Sequence, residues 1–318
     1  MTPEHTIQRT GDESINLRRR ALLPAVAFGM FAPAMFVRAA QGDDIRSDDF
    51  ADGLTVFSGA GGNVVVHEGP DSIVLIDGGA PEYSAALLTA VAERFGGKPV
   101  AGLVNTHWHL AQTGANDVLG ARAVPIIAHE NTRRWMSTRI EQHWGGPIIE
   151  PRAEIARPTR TFYLNDELAH GGSTIALIHT PRAHTDGDVH AVFADANVIV
   201  AGGIAYPRIY PVLDTATNGW IGEMLDATRT LLARVDGDTV VVPADGRMVT
   251  REDLQAQEQM LATIFDRFQK FSREGKGADD MLAEGIADEY VKDFGDPTEF
   301  ITTAWDGLSD HMRGLRAF

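Results

Sequence analysis

The chain of 318 residues contains no cysteine. Disulfide bonds and thiolate ligands are therefore excluded, and any metal centre has to be built from His, Asp or Glu. The same absence fits reducing and oxidising compartments equally. Cations are scarce as well: 28 Lys and Arg stand against 44 Asp and Glu, a formal charge of -16. Nucleic acid needs clustered cations for its phosphates, so no such partner is expected. An acidic surface serves solubility instead. No internal repeat and no linker separates domains. The apolar stretch Ala21 to Val37, broken by Pro24, Gly29 and Pro33, is short for a membrane span.

What is present suffices for a large core, with 44% hydrophobic and 23% charged residues. Arg18-Arg19-Arg20 leads into that weakly apolar stretch, and Val37 and Ala39 offer small residues for cleavage after Ala39. This order of basic, apolar and small-residue segments predicts a signal peptide over residues 1–40. Arg19-Arg20-Ala-Leu-Leu23 resembles the twin-arginine type, which implies export to the periplasm and no membrane span in the mature chain. A buried or interfacial N-terminal helix is the alternative.

Residues 41–318 read as a single α/β domain. Short apolar segments at Leu54–Phe57, Asn63–His67, Ser72–Ile76, Gly102–Val104 and Ala123–Ile127 are predicted strands, with helices over Pro81–Phe95 and Glu130–Ser137. A polar connector over Gln142–Arg160 is expected on the surface. Strands follow at Phe162–Leu164, Thr174–His179, Val189–Phe193, Asn197–Val200 and Thr239–Val242, around a helix at Ile221–Val235. The chain then turns helical from Thr250-Arg-Glu-Asp253, which resembles a capping box. Terminal helices are expected over Met281–Val291 and Thr298–Leu308.

The strand through Val104 runs into Asn105-Thr-His-Trp-His-Leu-Ala-Gln-Thr-Gly114. His107 and His109, one residue apart at a strand end, can both point into one pocket. His179-Thr-Pro-Arg-Ala-His184-Thr-Asp-Gly-Asp188 places a third imidazole in a loop between strands, where it can converge with that pair. Three neutral imidazoles around one zinc leave a coordination position open for chemistry. His179 and His190 sit on predicted strands and read as hydrogen-bonded structural residues.

Taken with Tyr210-Pro-Val-Leu-Asp214 and Val242-Pro-Ala-Asp-Gly246, these blocks arrive in an order that resembles the metallo-β-lactamase superfamily, over roughly Leu54 to Leu261. The resemblance implies a four-layer αββα sandwich with the site at one edge of two sheets, followed here by a C-terminal helical extension. It also implies that His107, His109 and His184 are the imidazoles of a first metal site. Ala111 and Gln112 then stand at the Asp and His positions of a second, Gly203 at that of a bridging aspartate, and Asp245 at that of the last histidine. Methyl, hydrogen and neutral amide groups are absent or poor ligands, so the second site is expected to be degenerate.

The resulting expectation is a hydrolase of a small-molecule ester, lactone or amide-like bond, using water activated at one Zn2+. Asp245 is the candidate base, a fourth ligand, or a partner of Gln112, unless it is only a turn residue before Gly246. Asp77, Asp186 and Asp188 are candidates for supporting contacts behind the ligands, or for ordering their own turns. Trp108, Tyr206, Arg208 and Tyr210 are candidates for the pocket mouth, or for packing and surface ion pairs. An inactive member that binds a ligand or protein partner in the old pocket is the alternative. An oxygenase using Fe2+ on the same imidazoles is a third. It ranks last, because the nonhaem-iron branch of the family uses the aspartate missing at Gly203.

Overall fold

The computed structural model describes residues 45–141 and 148–316, with side chains as far as Ser309. The expected signal peptide, including Arg18 to Arg20 and Ala39, lies outside the described residues, as do residues 142–147 of the polar connector. No helix among the described residues is long and apolar enough to cross a membrane.

Among the described residues, twelve strands form two sheets. The first joins β1 (Arg46–Ala51), β2 (Leu54–Ser58), β3 (Val64–Glu68), β4 (Ile73–Ile76), β5 (Val100–Val104), β6 (Ile126–His129) and β7 (Arg160–Phe162), in chain order. Pairing is antiparallel from β1 to β4 and parallel from β4 to β7. The second holds β8 (Asn165–His170), β9 (Ser173–Thr180), β10 (Asp188–Phe193), β11 (Val198–Gly202) and β12 (Val240–Pro243), in the order β12-β11-β10-β9-β8.

Alternation along the strands explains the layering. On β4, Ile73 and Leu75 face out towards helix α1 (Ser84–Arg94), packing with Leu87, Val91 and Phe95, while Val74 and Ile76 face in. Inside, Val65, Val104 and Ile127 of the first sheet meet Leu177, Val189, Val200 and Val242 of the second. Sheets buried on both faces need continuous apolar runs, and β3 to β5 supply them. The far face of the second sheet, through Ile199 and Val241, packs on α5 (Ile221–Leu232) and α6 (Arg251–Arg273). The architecture is thus helix, sheet, sheet, helix, as expected.

Short helices α2 (Leu110–Thr113), α3 (Asn116–Ala121) and α4 (Glu130–Met136) follow β5 and β6. At the start of α6, Thr250 accepts from Asp253 N and Asp253 caps Thr250 N, so the predicted capping box is present. The expected helix over Met281–Val291 is corrected: it is broken into α7 (Ala278–Ala283) and α8 (Val291–Phe294), with a 3-10 turn at Asp288–Tyr290 between them. Gly285 at φ 64° turns the chain there. The last helix, α9 (Thr298–Arg316), buries Phe300, Ile301, Ala304 and Leu308 in the α5–α6 core. The predicted strand Phe162–Leu164 ends at Phe162, leaving Tyr163 and Leu164 exposed in the turn to β8.

Candidate metal centre

The loop leaving β5 carries His107 and His109, and the loop from β9 to β10 carries His184. The two loops meet where the sheets adjoin: Val189 N of β10 donates to Thr106 O at 2.7 Å. One ring nitrogen from each of the three histidines lies within 4.8 Å of the others. The rings are nearly perpendicular to one another, at 82° to 87°. His107 and His184 are buried, whereas the side chain of His109 is 26% exposed, so the centre opens on the His109 side.

Each imidazole has its outer nitrogen committed. His184 Nδ1–H donates to Val212 O at 2.8 Å. His109 Nε2–H donates to Asp214 Oδ2 at 3.0 Å. Thr106 Oγ1 donates to Asp77 Oδ2 at 2.8 Å, which leaves it to accept from His107 Nδ1–H at 3.0 Å. These partners fix the tautomers, so the lone pairs of His107 Nε2, His109 Nδ1 and His184 Nε2 are left inside. His109 Nδ1 and His184 Nε2 face each other at 3.0 Å. Two lone pairs at that distance repel, and a shared cation reverses the sign.

Burial keeps His107 and His184 neutral. Burial first, and then the neighbouring rings, hold His107 well below its ordinary value. Burial and His109 push His184 down to about 4. Neutral imidazole is the form that binds a metal. Burial opposes ionisation of Asp214, yet the hydrogen bond and charge interaction with His109, followed by the Thr217 hydrogen bond, outweigh it and hold the carboxyl below its ordinary value. The sequence places Asp214 at the end of a motif block and assigns it no role. Here its carboxylate is buried and accepts from Thr217 Oγ1 at 2.6 Å as well as from His109. A carboxylate behind a ligating histidine orients the ring and raises its basicity.

The other aspartates brace the loops. Asp77 takes Thr106 N at 2.7 Å and the Thr106 hydroxyl, and burial pushes its carboxyl up to about 7. Asp188 takes His184 N at 2.7 Å, Thr185 N at 2.9 Å and the Thr185 hydroxyl at 2.6 Å, which fixes the His184 turn. Asp186 ties the same loop to Trp135 Nε1 and Asn218 Nδ2. His179 stacks on His129 at 3.6 Å and bonds Asp186 O, while His190 bonds Thr180 Oγ1.

Four residues near the motifs have defined places. Trp108 is 3% exposed, packed with Met136 and Ile140, and donates to Thr217 Oγ1, so it is a core residue and not part of an open mouth. Tyr206 OH lies 3.5 Å from His184 Nδ1. Arg208 turns away to Asp253 and Asp293. Tyr210 stacks on Phe300 of α9.

Gln112, on α2, is buried and interacts electrostatically with His107, and its neighbour Ala111 on α2 carries only a methyl. A Cβ placed on Gly203 would lie 2.4 Å from His184 Cδ2 and 2.7 Å from Cγ, so the His184 ring occupies the space a side chain would need. Asp245 is exposed on the loop after β12 and lies outside the three-imidazole group. Asn63 N donates to Ala244 O at 2.8 Å and Asn63 Nδ2 to Gly246 O at 2.9 Å, and Ala244 O and Gln112 Nε2 both border Gly62.

The three-imidazole donor set suits a metal in ligand type and tautomer. Residues 58–260 match the family model of the metallo-beta-lactamase superfamily. Among solved structures, a metallo-beta-lactamase from Pontibacter korlensis superposes with a TM-score of 0.57 at 19% identity, over 69% of this chain and 99% of that one. The DIM-1 metallo-beta-lactamase gives a TM-score of 0.55 at 16% identity, over 69% and 97%. Such identities speak for the fold alone. No match was found among curated proteins. With the family model covering most of the folded chain and the two-sheet sandwich in place, this protein belongs to the metallo-beta-lactamase superfamily.

Proposed function

We propose that the chain is a mononuclear zinc hydrolase acting on an ester, lactone or amide-like bond. The observation that carries this reading is the facing pair of lone pairs on His109 and His184, each fixed by a partner on the far side of its ring. A zinc ion held by His107, His109 and His184 would polarise a carbonyl and acidify water. An all-nitrogen donor set favours zinc over the two-histidine, one-carboxylate arrangement of nonhaem iron. A second ion lacks ligands: Ala111 offers a methyl, and Gly203 sits where the His184 ring leaves no space for a carboxylate.

The chain's own residues divide the remaining work. Val212 O, Asp214 and the Thr106–Asp77 pair hold the rings in register. Gln112, buried beside His107, is placed to orient a polar group entering the centre. We assign proton acceptance to Asp245, whose loop is fastened by Asn63 and comes next to Gln112 at Gly62. Metal analysis of purified protein should find about one zinc per chain, lost in His107→Ala and His184→Ala; a metal-free wild type refutes the reading. Asp245→Asn should lower kcat by roughly 10²–10⁴ if that residue takes the proton.

The exposure of Asp245 and the methyl of Ala111 favour a second reading, a non-catalytic binder. It requires that a ligand bind equally well to the metal-free protein and to all three His→Ala variants. The proposal also includes export to the periplasm, on the Arg19-Arg20 segment alone. Fractionation of cells expressing the full chain, beside an Arg19→Lys, Arg20→Lys variant, tests it.

A further inference from the structure

The segments bordering the centre contain few cations, and each is already engaged. Arg208 pairs with the buried carboxylate of Asp253, at 3.0 Å, and with Asp293. Arg247 closes on the same Asp253 through two hydrogen bonds, of 2.6 and 3.0 Å. Arg182 lies over the Trp220 ring and reaches Asn218 O. The loop that carries His107 and His109 has no Lys or Arg between Asn105 and Gly114. Beyond the metal itself, a second, anionic group on a substrate would lose its hydration and meet, among the described residues of these segments, only guanidinium groups that already have partners.

Exposed apolar side chains flank the ligands along the chain. Leu110 directly follows the partly exposed His109 and is 43% exposed. Val212, whose carbonyl holds His184, is 48% exposed, and Ile209, earlier on that loop, is 51% exposed. Next to the ligands these exposed aliphatic groups offer apolar area that a substrate could cover.

We propose that the substrate is an uncharged acyl compound whose aliphatic arm lies over Leu110 and Val212, with Ile209 extending the surface. This rests on the metal-hydrolase reading and narrows its substrate class: phosphate esters and carboxylate-bearing amides are disfavoured.

Hydroxamates test it, because they bind a metal centre without being turned over. Acetohydroxamic acid, octanohydroxamic acid and the monohydroxamate of octanedioic acid are titrated calorimetrically into zinc-loaded protein. A buried methylene is worth roughly fourfold in affinity, so the octano compound should bind at least tenfold more tightly than the aceto compound. The terminal carboxylate should cancel most of that gain. The octano-to-aceto ratio, which normalises for any change at the metal, should fall at least threefold in Leu110→Asn and in Val212→Asn. Both positions are exposed enough to accept a polar side chain, and thermal melts verify folding. Equal affinities for the two neutral probes, or an unchanged ratio in both variants, overturn the inference and leave the metal centre standing. Failure of every hydroxamate to bind zinc-loaded protein overturns both.

Discussion

Asp214 shows how much one carboxylate can do without touching the reacting atoms. It fixes which nitrogen of His109 faces inward, and Thr217 fixes Asp214 in turn. Asp214→Asn should weaken zinc binding by about 10–100-fold, read by competition with a chromophoric chelator; undiminished affinity would show that His109 needs no such partner. Gly203 yields the opposite kind of prediction. Gly203→Asp should not recruit a second ion, because its Cβ collides with His184 before its carboxylate can be used. The variant should lose about 1–3 kcal/mol of stability, and two metals per chain would refute the steric argument. The three histidines were legible in the sequence because short, ordered blocks carry them. Asp214 was not, since its effect acts across 105 residues through the His109 ring and leaves no local pattern.

At the level of elements, strands with apolar alternation were legible to within a few residues, as at β2, β3 and β10. Two were missed. Arg46–Ala51 and Asn165–His170 are polar strands with many exposed side chains, held by backbone pairing to β2 and β9, which no hydrophobic period announces. The buried His190 on β10 offers a pH test. Burial, aided by Arg234, lowers it from 6.5 to about 4. Its neutral form thus contributes fully above about pH 6.5, and the contribution is lost as pH falls towards 4, reaching roughly 3 kcal/mol. The stability of the metal-free wild type relative to His190→Gln should decline over that window in urea melts; a constant difference would contradict it. On α9, Leu308→Ala should cost about 2–5 kcal/mol, measured by the same melts. Because α9 packs against Thr215–Thr217, zinc affinity should drop with it.

For the whole molecule, the αββα layering was legible through the resemblance carried by the ordered motif blocks, whereas the Val and Ile runs by themselves indicated strands of one α/β domain. The partition of the C-terminal helices was less so, since Gly285 breaks a stretch whose composition is otherwise helical. Stripping zinc should lower the melting temperature, by the equivalent of about 2.7 kcal/mol when free zinc had stood at 100 times its Kd; identical melts with and without chelator would argue against a structural contribution. The position of the ligands gives that contribution a polymer-physics origin. His109 and His184 are 75 residues apart in sequence. An ion gripping both would close a loop of that length, and a covalent cross-link of this size restricts the unfolded chain by about 4.5 kcal/mol in the loop-entropy model. The centre would then be a reversible tether between the halves of a cysteine-free chain, one that a chelator opens and no reductant can.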